Sequence, residues 1–380
     1  MRGSVVKRGR SWSYVVDVGR DPVTGRRRQR WKGGYPTKRD AERALAGRIA
    51  GVDGVPVDDP GALSLGAYLD AWLAGVRPAL KPSTAKSYAE IIRWYVQPRI
   101  GAVKLVDLNA FHVRALYAEL LESGSVRTGG GLAPATVGAA HRVIRKACND
   151  ALAAGLLARN PLVGVRPPRN QAPEMRTWNA AEVRRFLDAT RTDRLYALWV
   201  LVLATGMRRG ELAGLRWADV DLDAGRLAVR RSRVSVGYQV HEGEPKTRAS
   251  RRSISLDERV IGVLVSHRRR QLEERLAWGA AWENTGYVFT AENGEPLHPE
   301  RIKVIFGQFV GQVGLPKIRF HDLRHTSATL ALAAGIHPKV VSERLGHTNI
   351  AVTLDLYSHV TPTLQAEAAD VLGAVILGDT

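Results

Sequence analysis

The stretch FHDLRHTSAT, residues 320–329, places two histidines and one arginine within five positions. Residues three or four apart share one face of a helix, so this stretch can present two different pairs of side chains. His321 with His325 would indicate a metal site, whereas His321 with Arg324 would indicate a site for an anion such as phosphate. The stretch alone leaves both open, so the other motifs of the chain have to decide.

The motif ATGMRRGELAGLRW, residues 204–217, directly follows the longest apolar run of the chain. The pattern predicts that a buried helix ends at Thr205-Gly206 and that a new helix begins at about Arg208. Glu211 would lie on the same face as Arg208. Free N–H groups at the start of a helix favour an anion there. The alternative is an ordinary surface ion pair, which contributes little to stability.

Two more motifs carry ionisable residues. EPKTRASRRSISL, residues 244–256, sets Lys246 in a turn between two predicted strands. ERLGHTNIAVTLDLYSHV, residues 343–360, has His347 after a glycine and Tyr357 ten positions later. Taken singly, each motif is ambiguous, because most turn lysines and isolated histidines have no catalytic role.

Together, and in this order, the four motifs resemble the tyrosine recombinases, also called the phage integrase family. The family pattern is an Arg in T-G-x-R, a Lys in a β-hairpin, H-x-x-R, a second His after L-G, and then a Tyr. The resemblance covers about residues 176–365. It implies six catalytic residues, which are Arg208, Lys246, His321, Arg324, His347 and Tyr357.

The resemblance implies cleavage and rejoining of a DNA phosphodiester. Tyr357 would attack the phosphorus and form a 3′-phosphotyrosine, leaving a free 5′-hydroxyl. Arg208 and Arg324 would offer two-pronged donors to the non-bridging phosphate oxygens. Lys246 would protonate the leaving 5′-oxygen.

Three further roles follow from the same resemblance. His347 would add a hydrogen-bond donor to the phosphate oxygens. His321 would assist proton transfer at Tyr357. Glu211 would support the orientation of the site.

This resemblance also decides the question of the pair. A metal site of the H-E-x-x-H kind needs a glutamate where the chain has Asp322. Two arginines, two histidines and one lysine already supply the positive charge that a metal would bring. We therefore expect no metal and no cofactor, a functional pair of His321 with Arg324, and a structural role for His325.

Composition points to a nucleic acid partner. The formal net charge is +19, the pI is about 10.5 and apolar residues make up 45% of the chain. Such an excess of arginine and lysine indicates a polyanionic partner. No run reaches the ~18 apolar residues needed to span a bilayer, and no signal peptide is expected from the N-terminal sequence. The one cysteine, Cys148, fits a reducing cytoplasm, and a nucleoid-associated bacterial protein is expected.

The expected fold class is mainly α with small β-sheets, in three domains. Residues 1–58 would form a basic sheet-plus-helix domain resembling the arm-binding domain of larger integrases. Residues 63–165 would form a helical core-binding domain, which is SAM-like, and residues 176–380 a mixed α/β catalytic domain. The segments 51–62 and 166–176 are rich in Gly, Pro, Asp or Arg and would be linkers.

The first of these domains concentrates charge, with 14 Lys and Arg against 5 Asp and Glu in residues 1–55. SWSYVVDVG and RRRQRWKGG predict strands, DPVTG a turn, and PTKRDAERALAGRIA a helix behind a threonine cap. The residues expected to contact DNA are Arg26, Arg27, Arg28, Arg30 and Lys32.

The expected function is that of a site-specific recombinase that integrates, and also excises, a phage or other mobile element. Its partners would be double-stranded DNA attachment sites, a homotetramer on DNA, and an excisionase or DNA-bending host factor, with no membrane. The apolar C-terminal tail would dock on a neighbouring protomer. The alternatives are a recombinase that resolves chromosome dimers, a catalytically silent DNA-binding regulator, and a metal-dependent hydrolase.

Overall fold

The structure is a computed structural model that describes residues 3–20, 27–49, 62–170, 175–244, 250–358 and 372–378. Within these ranges, side chains are described except at 16–20, 27, 28, 30, 43, 46–49 and 355–358. The chain divides into two compact units, Met1–Pro173 and Glu174–Thr380. In the described ranges, no helix combines the length and the apolar character needed to cross a membrane.

A three-stranded antiparallel sheet and one helix open the first unit. The strands pair in the order β1-β2-β3, and the bounds are β1 Gly3–Arg8, β2 Ser11–Arg20, β3 Arg27–Tyr35 and α1 Lys38–Ile49. These elements confirm the predicted sheet and helix, including the cap, because the Thr37 hydroxyl accepts a hydrogen bond from the Asp40 amide at 3.2 Å. The pattern does not predict β1, whose side chains are almost all exposed. The predicted DPVTG turn lies outside the described residues.

Helix α1 covers this sheet through a small apolar core. The core residues are Tyr14, Ala44 and Leu45, with Val5 and Tyr35 packed against them. Of the residues expected to contact DNA, Lys32 lies on β3 opposite Tyr14. Arg26 is outside the described residues, and the same holds for the side chains of three residues on β3, which are Arg27, Arg28 and Arg30.

Helices form the rest of the first unit. Their bounds are α2 Leu65–Val76, α3 Pro82–Ile91, α4 Gln97–Ile100, α5 Ala110–Ser123 and α6 Pro134–Ala153, with a π-helical turn at Ile92–Val96 between α3 and α4. The sequence predicts four helical segments here, which are LSLGAYLDAWLAGV, PSTAKSYAEIIRWYVQPRI, NAFHVRALYAELLES and APATVGAAHRVIRKACNDALAAGL, and all four are confirmed. Ser64 caps α2 and Asn109 caps α5, each by accepting backbone N–H bonds, as expected for short polar residues at helix starts. Cys148 is fully buried in the core of these helices.

The second unit is helix-rich with two small sheets. Its helices are α7 Ala180–Ala189, α8 Tyr196–Thr205, α9 Arg209–Ala213, α10 Glu258–Trp278, α11 Pro299–Val313, α12 Asp322–Ala333, α13 Pro338–Leu345 and α14 Ala351–Ser358. Its strands are β4 Val220–Asp221, β5 Arg226–Val229, β6 Ser232–Val236, β7 Gln239–Gly243 and β8 Arg252–Ser255. A short helical segment follows at 372–377.

The strands of the second unit divide between two sheets. β4, β5 and β8 form one antiparallel sheet, and β6 pairs with β7 in a hairpin. The sequence pattern GRLAVRRSRVSVGYQV, residues 225–240, predicts one strand before Lys246. That prediction is wrong, because the chain leaves the first sheet after Val229 and turns back at Gly237, whose φ is +68°. β7 and β8, which flank the segment 245–249, therefore belong to different sheets.

Helix α8 is the centre of this unit. Its apolar residues are buried among aromatic side chains from α7 and α11, and Trp199 contacts Phe186 and Phe306. This confirms the predicted buried helix. The helix ends at Gly206, which has a φ of +63°. A Cβ at this position would also collide with the Leu345 side chain, so only glycine fits the turn that leads to Arg208.

Candidate active site

Arg208 lies at the start of α9, directly after the Gly206 turn. Its backbone N–H donates to Glu211 at 3.0 Å, and its Nη1 donates to the same carboxylate at 2.8 Å. The side chain is 36% exposed, whereas Glu211 is only 2% exposed. The helix start and the Arg208–Glu211 pair are therefore both confirmed. The pair is no ordinary surface ion pair, because its carboxylate is buried and its guanidinium is open to solvent.

Glu211 has a second cationic partner that sequence reasoning missed. Arg252, on β8, donates through Nη2 to one carboxylate oxygen at 2.9 Å and through Nη1 to the other at 3.3 Å. Burial alone would raise the pKa of Glu211. The hydrogen bonds and charge of Arg252, and then those of Arg208, outweigh burial and hold the pKa below its usual value. Glu211 is thus an ionised, buried carboxylate between two guanidiniums.

Arg324 of α12 is almost fully buried and is held by two carbonyls. Nη1 donates to the Gly206 carbonyl at 2.7 Å, and Nη2 donates to the Leu345 carbonyl at 2.6 Å. Burial and then the charge of Arg208 lower the pKa of Arg324 to about 9. The side chain remains a cation near neutral pH, in a fixed orientation between the end of α8 and the end of α13.

Three arginines converge on the C-terminus of α13. They donate to three successive carbonyls, Arg252 to Arg344 at 2.5 Å, Arg324 to Leu345 at 2.6 Å, and Arg208 to Gly346 at 3.3 Å. The last carbonyls of a helix have no intrahelical partner and carry partial negative charge. This helix end therefore draws together three cations that would otherwise repel one another. His347 is the next residue of the chain.

His347 is half-buried and has a defined partner. Its Nδ1 shares a hydrogen bond of 2.8 Å with the hydroxyl of Thr353, a fully buried residue of α14. Burial, and then the charges of Arg324 and Arg208, lower the pKa of His347 to about 4. The imidazole is therefore neutral at pH 7, with one ring nitrogen bonded to Thr353 and the other left for a further partner.

His321 and His325 lie side by side at the start of α12. Their rings meet edge to face, with centroids 5.0 Å apart. Burial and the charge of Arg324 lower the pKa of His321, and burial together with His321 lowers that of His325 to about 4. The Nδ1 atom of His325 is buried and has no hydrogen-bond partner among the residues that the structure describes. Across the described ranges, no three His, Cys, Asp or Glu side chains come together in a way that could hold a metal ion.

Two predicted site residues cannot be placed at the level of their side chains. Lys246 falls in the segment 245–249, outside the described residues, although β7 before it and β8 after it are described. Tyr357 lies on α14, one helical turn after Thr353, and its side chain is outside the description. The four other predicted catalytic residues, Arg208, His321, Arg324 and His347, all lie at the adjoining ends of α8, α9, α12 and α13.

Arg252 and Thr353 are the site residues that the sequence motifs did not single out. Each had a weak signal. Arg252 lies two residues before Ile254 on β8, so both side chains are on the same face of the strand. Ile254 is buried in the core. An arginine on that face therefore needs buried partners. Thr353 is a polar residue within the apolar run of α14. Neither signal identifies Glu211 or His347 as the partner.

Comparison with known proteins agrees with this geometry. Residues 176–363 match the phage integrase family, residues 4–50 match an arm DNA-binding domain, and residues 64–121 match the N-terminal SAM-like domain of phage integrases. A tyrosine recombinase XerC-like protein of Caldanaerobacter subterraneus subsp. tengcongensis is 30% identical, with 98% of each chain covered.

Two further comparisons concern proteins named as integrases, one a sequence and one a solved structure. The ICEBs1 integrase of Bacillus subtilis is 25% identical and covers 97% of this chain and 98% of its own. The solved structure of the Tn1549 transposon integrase in complex with a circular intermediate DNA has the same fold, with a TM-score of 0.67 and 23% identity. It covers 81% of this chain and 99% of that chain.

The chain belongs to the phage integrase family and is a tyrosine-type site-specific recombinase. The expected fold class, mainly α with an arm-binding domain, a SAM-like domain and a mixed α/β catalytic domain, is confirmed.

Proposed function

We propose that this recombinase integrates, and also excises, the DNA of a mobile element by means of six catalytic residues. These are Arg208, Lys246, His321, Arg324, His347 and Tyr357. The observation that carries the proposal is the convergence of Arg208 and Arg324 on the α13 end, directly before His347. Such a preorganised set of donors suits a phosphate whose charge grows in the transition state.

The two arginines have different environments and therefore different tasks. Arg324 is buried and held by two carbonyls, so it supplies a fixed donor and field. Arg208 is partly exposed and can present its remaining N–H groups to the non-bridging oxygens of DNA. If the Thr353 hydroxyl donates to Nδ1 of His347, the proton of the neutral ring lies on Nε2. His347 then donates to a phosphate oxygen without carrying charge.

The reaction proceeds by exchange of one ester for another. The Tyr357 oxygen attacks phosphorus and gives up its proton, with His321 as the acceptor, and the bond to the 5′-oxygen breaks. Lys246 passes a proton to that oxygen. The lowered pKa of His321 suits this task, because a neutral imidazole can accept a proton. The phosphotyrosine keeps the ester bond, so a second 5′-hydroxyl can reverse the step without ATP.

The net positive charge and the domain composition support double-stranded DNA attachment sites as the substrate. The arm-binding domain would contact arm sites and the core-binding domain would contact core sites. The match of residues 4–50 to an arm DNA-binding domain supports arm-site binding by the basic sheet. Exposed aromatic and cationic side chains lie together there, since the Arg8 guanidinium stacks over the Trp31 ring at 4.2 Å. Arg26, Arg27, Arg28, Arg30 and Lys32 are the residues proposed to contact DNA. An excisionase or a DNA-bending host factor would set the direction of the reaction.

A tetramer on DNA is supported by two apolar surfaces of the second unit. The segment 372–378 exposes Leu372, Val375, Ile376 and Leu377, each by 58% or more. A groove of about 620 Å³ between α8, α12 and α13 is lined by Leu203, Ile336 and Val340 among others. We propose that the tail of one protomer docks in the groove of its neighbour.

Chromosome-dimer resolution is the second candidate, favoured by the XerC-like name of the Caldanaerobacter relative. The arm DNA-binding domain favours the mobile-element role, because two classes of DNA site suit controlled integration better than resolution at a single site. A catalytically silent regulator is disfavoured, because the described catalytic positions all carry ionisable groups suited to phosphate.

A covalent adduct with DNA tests the proposal. Nicked duplexes from the flanks of the protein's own gene would be incubated with protein in excess EDTA. We expect an adduct with the wild type and none with Tyr357→Phe, which should bind the same DNA. Tight binding without any adduct, across genomic fragments, would instead support the silent regulator. Activity that disappears in EDTA would support the metal-dependent hydrolase.

A further inference from the structure

Arg252 is almost fully buried, which is unusual for an arginine. Its side chain is 6% exposed, and its donors are used on Glu211, on the Ser250 carbonyl at 3.0 Å and on the Arg344 carbonyl at 2.5 Å. It thus joins three pieces of chain, which are α9, the residues after the segment of Lys246, and the end of α13. A buried guanidinium costs free energy of desolvation, so this position calls for an explanation.

Its neighbour Arg251, directly before β8, has a different environment. Arg251 points outward, is 53% exposed and pairs with the exposed Glu244. The two adjacent arginines therefore have opposite environments, one buried and one exposed. This pair offers a matched comparison for any effect of Arg252.

Glu211 is the link between Arg252 and Arg208. Both guanidiniums bind the same carboxylate, because Arg208 donates through Nη1 to one oxygen and Arg252 donates to both oxygens, through Nη2 at 2.9 Å and through Nη1 at 3.3 Å. Without Arg252, the buried carboxylate of Glu211 would have Arg208 as its one cationic partner. The Arg208 guanidinium would then no longer be held in one orientation. Arg208 also donates to the Ser250 hydroxyl at 3.4 Å, so Ser250 is held by both arginines.

We propose that Arg252 is a positioning residue of the recombination reaction, which holds Glu211 in place so that Glu211 fixes the guanidinium of Arg208 against the DNA phosphate. This inference rests on the proposed role of Arg208. Arg252 itself would not touch the reacting atoms. Of the interactions that lower the pKa of Glu211, those with Arg252 are the largest. This is consistent with Arg252 acting on Arg208 through Glu211.

The test uses the full-length protein at saturating concentration on the nicked attachment-site duplex. Arg252→Lys keeps the charge but loses the two-pronged donor. We expect the rate of adduct formation to fall about 30-fold or more while the Kd for DNA stays within about threefold. Arg251→Lys, the matched control, should keep the wild-type rate.

A double variant shows whether Arg252 acts through Glu211. Arg252→Lys with Glu211→Gln should be no more than about threefold slower than the slower single variant, because residues that act as one unit are not additive. Fully additive losses would overturn the proposal. So would a wild-type rate in Arg252→Lys, or a loss of DNA affinity equal to the loss in rate. Thermal melting of each variant checks that it is folded.

A sulfur-substituted substrate separates this role from leaving-group protonation. Sulfur in place of the bridging 5′-oxygen leaves without a proton, so it should restore Lys246→Ala but not Arg252→Lys. Restoration of Arg252→Lys would show that Arg252 acts on the lysine segment instead, and would overturn the inference. If the wild type itself forms no adduct with either substrate, the proposed function fails rather than the role of Arg252.

Discussion

The Nη2 atom of Arg324 lies 2.6 Å from the carbonyl oxygen of Leu345, a residue 21 positions further along the chain. This bond holds the cation that we propose to be catalytic to the end of the helix that precedes His347. Arg208 and Arg252 hold the neighbouring carbonyls of the same helix end. The site is therefore organised around backbone oxygens, which do not change with pH and cannot rotate away.

Arg324→Lys keeps the positive charge but loses the two-pronged donor, so it should separate the effect of the charge on the reaction from that of the hydrogen-bond geometry. A lysine can reach one of the two carbonyls that Arg324 now holds, which leaves the other unsatisfied at a cost of ~1–3 kcal/mol in stability. We expect adduct formation to slow by about 100-fold or more. Urea unfolding and single-turnover adduct assays would measure both effects. Arg226→Lys, at an exposed pair with Asp221, should change neither, and an equal effect there would contradict the argument.

Thr353→Val should weaken catalysis by releasing the ring of His347. Valine has a similar shape but no hydroxyl, so it cannot fix the tautomer of the imidazole. We expect adduct formation to slow about tenfold, and Thr353→Ser, which keeps the hydroxyl, to retain most of the rate. Equal losses in both variants would point to packing rather than to the hydrogen bond. The tautomer of His347 can be read from its ¹⁵N chemical shifts.

The stability of the protein should depend on the protonation of His347. Its pKa is about 4 when folded, against an ordinary value of 6.5. Above pH 6.5 the ring is neutral in both states, and its contribution to stability is complete. As the pH falls from 6.5 towards 4, the unfolded state binds a proton that the folded state does not, so the free energy of unfolding falls.

His347→Asn should make that decline shallower between pH 6.5 and about 5, by up to about one proton in the slope. Urea titrations at several pH values in this window would measure it. The window lies above the range where Glu211, whose pKa is lowered, takes up its proton. An unchanged slope would mean that the ring is protonated as readily in the folded protein as in the unfolded chain.

Charged residues in the C-terminal tail should block assembly without affecting cleavage. Leu377→Asp with Ile376→Asp places carboxylates on the tail that we propose to dock in the apolar groove. We expect binding of a single core site to persist and the tetrameric complex on DNA to be lost, because burying an unpaired carboxylate is costly. Leu276→Asp is the control, since Leu276 is equally exposed at 83% on α10. Light scattering on DNA complexes would report the assembly state.

Removal of residues 1–55 should reduce the salt dependence of DNA binding. That segment holds 14 Lys and Arg, and each phosphate contact adds about 0.9 to the slope of log K against log salt. We expect a shallower slope and loss of the arm-site footprint, with the core-site footprint retained. If both the slope and the arm footprint persist, the basic N-terminal domain does not contact DNA.

Most of the fold could be predicted from local sequence. Helical spacing predicted the helices of the first unit and the buried helix α8 of the second, and the threonine cap marked where α1 begins. Strand boundaries were harder, because no Gly or Pro lies between Arg226 and Val236 to mark a break, and only the pairing partners determine where one strand stops. β1 carries few buried residues, so it left no pattern to detect.

The sequence by itself determined which residue types the predicted site contains, because phosphate transfer requires cations and a nucleophile and the four motifs supply both. Only the tertiary structure brought Arg252, and not the adjacent Arg251, to Glu211. Arg208 contacts Glu211 whereas Arg209 pairs with Glu300 on α11, and Arg252 turns inward whereas Arg251 turns outward. Two adjacent arginines have nearly the same sequence neighbours. Their side chains leave the backbone in different directions and therefore reach different surroundings. Those surroundings come from α11 and α13, segments far along the chain.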